Sequence, residues 1–127
     1  LSIPDWANPS PSFINQLYCM IHLSKIITKG ALKRDEFRGS HYKEEYDLKQ
    51  PKDFDPHEYI DYLEEKQYGD ISENKFPPGH LDYMKRFEEN NVKWLRTTIA
   101  EYKDNKPDIT YEEVNTSLIT PRPRKYD

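Results

Sequence analysis

The chain has 127 residues, 33% of them charged, 35% hydrophobic and 13% aromatic, with a formal net charge of −4. That is room for one domain, too rich in aromatics for a disordered segment and too acidic for nucleic acid as its main partner. A single cysteine, Cys19, excludes an internal disulfide and fits a reducing compartment, and no apolar run nears the roughly 20 residues that span a bilayer or the pattern of a signal peptide.

In chain order, residues 1–10 read as loop, broken by Pro4, Asn8 and Pro9. A chain that starts on Leu1 in "LSIPDWANPSPS" is expected to be a fragment of a larger protein. Ser10 before Pro11 predicts an N-cap followed by proline at the first helical position. Phe13, Leu17, Met20, Ile21, Ser24, Ile27 and Ala31 then recur at spacings of three and four, which predicts a long helix. Ile14, Tyr18, Leu23 and Ile26 widen the apolar stripe until the helix wants neighbours on several sides. The rest of the chain offers few, so part of that surface is expected to meet a partner or a missing part of the same protein. Cys19 reads as a small core residue of this helix. Lys33, Arg34 and Arg38 put cations in its last turns, at the negative end of the dipole, and Gly39 is placed for the left-handed C′ position. Gly30 costs about 1 kcal/mol relative to alanine inside a helix, which a close backbone contact would justify.

Residues 44–56 read as loop. Asp55 as N-cap and Pro56 as first helical residue open a short helix with Tyr59, Ile60, Tyr62 and Leu63 on its apolar side, ended by Gly69. After a loop over 71–79, His80 to Asn91 predicts a third helix with Leu81, Met84 and Phe87 on one side, terminated by Asn90 and Asn91. Thr97, Thr98 and Ile99 are consecutive β-branched residues, "KDNKP" is a turn cluster, and Ile109 and Tyr111 alternate. These predict a β-hairpin over 94–114, Trp94 to Tyr102 paired with Asp108 to Val114, and residues 115–127 form an extended, basic, proline-locked tail. The fold class is therefore mainly α: a long helix and two shorter ones, a partial helical bundle, with a small C-terminal β-hairpin.

The chemistry-bearing residues form few patterns. His22, His41, His57 and His80 are scattered, with no metal-ligand spacing. Glycines at 30, 39, 69 and 79 assemble neither a dinucleotide-binding loop nor a P-loop, and no Ser/His/Asp or Cys/His signature is present. Glu64 and Glu65 in "YIDYLEEK" read as a solvated helix face, and "PRPRKYD" as a solvated or packed-down strap. Arg38-Gly39-Ser40-His41 has two readings. One is a capped helix end followed by a surface histidine. The other is a docking corner, with arginine in bidentate ion pairs and histidine donating across a domain interface.

Three blocks, in order, carry a resemblance. "LSKIITKGALKRDEFRGSHYK" (23–43) resembles the helix end of the succinate dehydrogenase and fumarate reductase flavoprotein subunits, with its Glu-Ser-Arg-Gly-Ala-His-Tyr type motif. Glu36, Arg38, Gly39, His41 and Tyr42 match that motif, while Phe37 and Ser40 depart from it. "NVKWLRTTIAEY" (91–102) resembles the family's Asn-x-x-Trp-Leu-x-x-Thr segment, and "DITYEEVNTSLITPRPRKYD" (108–127) its closing strand and tail, nearest to the Bacillus-like type. Residues 44–90, with both short helices, stand where the family has a short acidic link, and so form an insertion.

The resemblance implies that residues 1–127 are a single C-terminal helical domain of a larger flavoprotein. The parent would carry FAD, interconvert succinate and fumarate, and pass electrons to an iron–sulfur subunit, with a membrane anchor and quinone completing the path. It would sit peripherally on the cytoplasmic side of the bacterial inner membrane. The family's FAD- and substrate-binding motifs lie in earlier domains, so the resemblance implies no catalytic, cofactor-binding or metal residue here. Arg38, His41, Tyr42 and Trp94 are the candidates for docking against the FAD and capping domains. The isolated chain is expected to be inactive and to self-associate through its wide apolar helix. The alternative is a stand-alone helical adaptor that binds another protein through that helix or the basic tail. A metal-assisted hydrolase using the histidines is a third, weaker reading.

Overall fold

The computed structural model describes residues 8–69, 71 and 75–125. Its elements are α1 (Ser10–Lys33), a 3-10 turn at Glu44–Tyr46, α2 (Pro56–Tyr68), α3 (Pro78–Trp94), β1 (Arg96–Lys103) and β2 (Lys106–Glu113). Among the described residues β1 and β2 pair only with each other, so the fold is mainly α with one small hairpin, as expected. Residues 1–7 of the loop expected over 1–10 and residues 72–74 of the loop expected over 71–79 lie outside the described residues. Two compact units divide the chain: Leu1–Arg34 with Thr98–Tyr111, and Asp35–Thr97 with Glu112–Asp127.

In the first unit α1 starts one residue earlier than Ser10 as N-cap predicts. Pro9 holds the cap position, and the Asn8 Oδ1 accepts from the Ser10 N–H at 3.0 Å. The helix stops at Lys33, where Arg34 turns extended (φ −90°, ψ 99°) while its N–H still bonds Gly30 O at 3.1 Å. Arg38 and Gly39 therefore stand beyond the helix, and Gly39 is not its C′ residue. No residue of α1 is buried, and Cys19 is exposed rather than a core residue, because the stripe it belongs to finds too little cover within this unit. Among the described residues two side chains of α1, and that of Arg34 just after it, reach the hairpin. His22 Nδ1 meets Tyr102 Oη at 3.0 Å, Lys29 Nζ donates to Pro107 O, and Arg34 Nη1 donates to Thr98 Oγ1 at 3.1 Å. A Cβ on Gly30 would meet Thr98 Cγ2 at 3.8 Å, an ordinary contact, so the close backbone approach expected at Gly30 is not found.

The hairpin turns on Asp104 and Asn105, both at positive φ (52° and 59°), the type I′ geometry these two residue types tolerate. A two-residue turn brings β2 forward to Lys106 instead of Asp108. Pro107 is accommodated because each strand of a two-stranded sheet is an edge. At the other end Trp94 is not a strand residue. α3 runs through Asn90 and Asn91 to Trp94, and Leu95 N bonds Asn91 O at 2.9 Å, so β1 begins at Arg96.

The second unit is built on α2 and α3. Asp55 and Glu58 form a full capping box on α2, and Gly69 (φ 144°) ends it. α3 starts at Pro78, ahead of His80, because Pro77 O accepts from both His80 N (2.9 Å) and Leu81 N (3.1 Å). Phe54, Tyr59, Tyr62, Phe76, Leu81, Tyr83 and Met84 make one buried cluster. It is an aromatic core, with Phe54 edge-on to Tyr83 (centroids 4.9 Å) and Tyr59 edge-on to Phe87 (5.0 Å). Tyr62 donates to Glu88 Oε2 at 3.0 Å, and Lys66 Nζ holds the same carboxylate at 2.7 Å.

Burial, and then the charge of Glu88, push the Tyr59 hydroxyl up to about 12; burial, then its hydrogen bond to Glu88, do the same for Tyr62. In the unfolded chain both would ionise near the ordinary value of 10.0. A raised folded pKa adds stability that is whole below pH 10 and is lost as pH climbs from about 10 to about 12. Alkaline denaturation is thus expected to begin above pH 10, and Tyr62→Phe to flatten that part of the profile. A wild-type denaturation midpoint that stays constant across this window would refute the assignment.

Candidate docking corner

Residues 35–43 leave α1 and fold into a tight corner. Arg38 and His41 exchange two backbone hydrogen bonds, both 3.0 Å, around Gly39-Ser40. Gly39 has φ +59° and Ser40 no positive φ, the pattern of a type II′ turn, whose first central position favours glycine. The glycine read as a helix cap serves this turn instead.

Behind the turn lies a buried acid. Glu36 is fully buried. Arg38 Nε donates to Glu36 Oε2 at 2.8 Å, and Asn90 Nδ2 lies 3.4 Å from the same oxygen. Arg38 Nη2 donates to Asn91 Oδ1 at 2.8 Å. One guanidinium therefore joins the corner to the last turns of α3 through its fork. At the far side of the corner Lys43 Nζ bonds Asp35 Oδ1 at 2.8 Å, and this hydrogen bond holds the Asp35 carboxyl below its ordinary value.

The structure assigns the four docking candidates different places. Arg38 is half-buried and committed to Glu36 and Asn91. Trp94, one turn after Asn91, is buried, with Lys93 Nζ 5.2 Å from its ring centre. His41 is half-buried and fixed through its backbone. Tyr42 is exposed, edge-on to Phe37 at 5.2 Å. Arg38 and Trp94 are thus positioned inside this unit, and Tyr42 is the side chain the corner offers outward. Sequence reasoning missed the roles of Glu36, Asn90 and Asn91. The pair Asn90-Asn91 was legible only as a helix stop, and an isolated glutamate in a basic segment gives no sign of burial.

The corner holds two ion pairs and a turn. Among the described residues no three His, Cys, Asp or Glu side chains cluster for a metal ion, and no helix is long and apolar enough to cross a membrane. A flavin's phosphates call for a strand, a glycine-rich turn and a helix N-terminus in succession. Here both strands follow the last helix, and the glycines lie within α1, in the corner, after α2 and in the first turn of α3. The described residues do not fit the dinucleotide.

Comparison with known proteins places these observations. The chain is 29% identical over 123 residues to the succinate dehydrogenase flavoprotein subunit of Bacillus subtilis (strain 168), covering 95% of this chain and 14% of that relative. No solved structure matches. The family described as "Fumarate reductase flavoprotein C-term" matches residues 3–126. The chain belongs to the fumarate reductase flavoprotein C-terminal family.

Proposed function

We propose that residues 1–127 act as one C-terminal docking domain of an FAD-dependent flavoprotein subunit that interconverts succinate and fumarate. Its parent hands electrons to an iron–sulfur subunit and, through a membrane anchor, to quinone, and is held peripherally on the cytoplasmic face of the bacterial inner membrane. Support for the parent comes from the family and from the relative's name. FAD and substrate belong to the rest of the parent. The role of this chain is mechanical: to seat against the FAD and capping domains of the same polypeptide.

The observation that carries the docking role is α1. It has 24 residues and not one is buried, although Phe13 (59% exposed), Leu17 (43%), Met20 (60%) and Ile27 (69%) lie on it. Each such side chain is worth about 1.5–3 kcal/mol on full burial, a strong drive toward an apolar seat. The second unit would add polar contacts of its own through Tyr42 and His41, while Arg38 and Trp94 keep the corner in shape. In the intact flavoprotein, Leu17→Glu with Met20→Glu is expected to lower bound flavin and recovery of the iron–sulfur subunit. Tyr68→Glu, on an exposed α2 position, should leave both unchanged. Full flavin content and full assembly in the Leu17/Met20 variant would refute the role.

A further inference from the structure

A cleft of about 580 Å³ in the second unit shares Phe37, Arg38 and Gly39 with the corner and extends beyond it. Pockets of this size hold small ligands. Four cations line it: Arg38, Lys49, Arg122 and Arg124. One acid, Asp47, lines it too and is held by Lys49 at 3.1 Å. That leaves an excess of positive charge on a chain whose net charge is −4. Arg122 and Arg124 flank the buried Pro123, and neither makes an ion pair or hydrogen bond among the described residues. Proline on either side of Arg122 stiffens the tail, so its arginines are presented with little conformational freedom left to lose. Phe37, Tyr83 and Phe87 supply an apolar wall.

The second observation is Gln50. It lines the same cleft, and its Nε2 is buried with no hydrogen-bond partner among the described residues. A buried amide donor left unpaired is costly and rare in native proteins. An anionic oxygen in the cleft would satisfy it and would face the unpaired guanidinium groups. Arginine's planar fork suits carboxylate and phosphate alike.

We infer that this cleft is a binding site for a small polyanion, a molecule carrying clustered carboxylate or phosphate oxygens. Arg122 and Arg124 grip the anionic groups, Gln50 donates to one oxygen, and the aromatic wall carries the ligand's less polar part. The site rests on the cleft's own residues, and it stands whether or not the docking role does.

The test is equilibrium titration of the intact protein with pyrophosphate and, in a separate arm, citrate, at low ionic strength. Saturable binding of one probe, weakening with added salt, is expected, and the tighter arm tells phosphate from carboxylate. Arg122→Ala with Arg124→Ala should lower that affinity by about tenfold or more, as the loss of charge-assisted bonds does. Lys85→Ala with Lys106→Ala removes equal charge at exposed positions that do not line the cleft and should change affinity less than about twofold. Gln50→Leu should raise the melting temperature of the free protein and weaken binding together. No saturable binding in either arm, or equal losses in the arginine and lysine variants, overturns the site. A Gln50→Leu protein that melts higher and binds unchanged removes Gln50 from it.

Discussion

Arg38→Ala is expected to destabilise the second unit by about 3 kcal/mol, the low end of what removing one partner of a buried ion pair costs. The low end applies because the Arg38 side chain keeps 33% of its exposure, while Glu36 keeps none. Without the guanidinium, Glu36 loses its 2.8 Å charged partner, and Asn91 Oδ1 loses a donor. Arg38→Lys should recover only part of the loss, since a single ammonium cannot span Glu36 and Asn91 as the fork does. Arg38→Leu with Glu36→Leu should recover most of it, because an apolar pair of similar volume replaces a buried ion pair at little cost. Urea denaturation of the four proteins measures this. An Arg38→Ala change under about 0.5 kcal/mol, the range of an ordinary surface substitution, would show that the corner is held by something else. The same series separates structure from docking. Assembly lost in Arg38→Ala alone follows from a misfolded corner. Assembly lost in the stable double variant requires that Arg38 itself touch the parent.

The elements most legible in the sequence were those whose signals are local. Asp55, Pro56 and Glu58 write the start of α2, and the period of Leu81, Met84 and Phe87 writes α3. The wide stripe of α1 marks a surface that lacks cover, and it is readable from residue spacing because apolar periodicity is a property of the helix alone. What failed depended on geometry between distant residues. Gly39 satisfies the rule for a helix C′ residue and equally the rule for a type II′ turn, and only the Arg38–His41 bridge decides between them. Asn90 and Asn91 have poor helix propensity, yet α3 carries them to Trp94, where Asn91 accepts from Arg38. The docking candidates were found through a family motif. Arg38 holds Glu36 only two residues away, but the hydrogen bonds that tie this pair to the end of α3 join residues about 50 apart, which no local pattern encodes. The polyanion cleft was equally hidden, since it joins the segments around residues 38, 50, 87 and 123.

Phe54→Ala is expected to be the most damaging single change, about 3–5 kcal/mol by loss of buried area and the cavity left behind. Phe54 keeps 1% of its exposure, although it sits in an irregular segment between two prolines. Its position explains the burial. It precedes the Asp55 N-cap, and Tyr59, in the same buried cluster, stands at the fourth helical position, the two places a hydrophobic staple joins. Its ring also meets His80 (5.6 Å) and Tyr83 (4.9 Å) edge-on, which ties the entrance of α2 to the first turns of α3. His80 is fixed from the other side by Glu58 at 2.8 Å, the residue that closes the capping box. Removing the ring therefore empties the point where cap, staple and second helix converge. Small domains are stable by only about 5–15 kcal/mol, so a loss of this size threatens the whole unit. Leu118→Ala, at a position 95% exposed, should cost nothing measurable. Near-ultraviolet circular dichroism under urea reads the outcome, because the buried tyrosines of this cluster contribute to the signal. A Phe54→Ala cost below about 1 kcal/mol, less than a third of a core phenylalanine's usual worth, would mean residues 44–90 are an appendage. A cost in the expected range means that residues 44–90 supply the core on which the corner, and with it the polyanion cleft, is built.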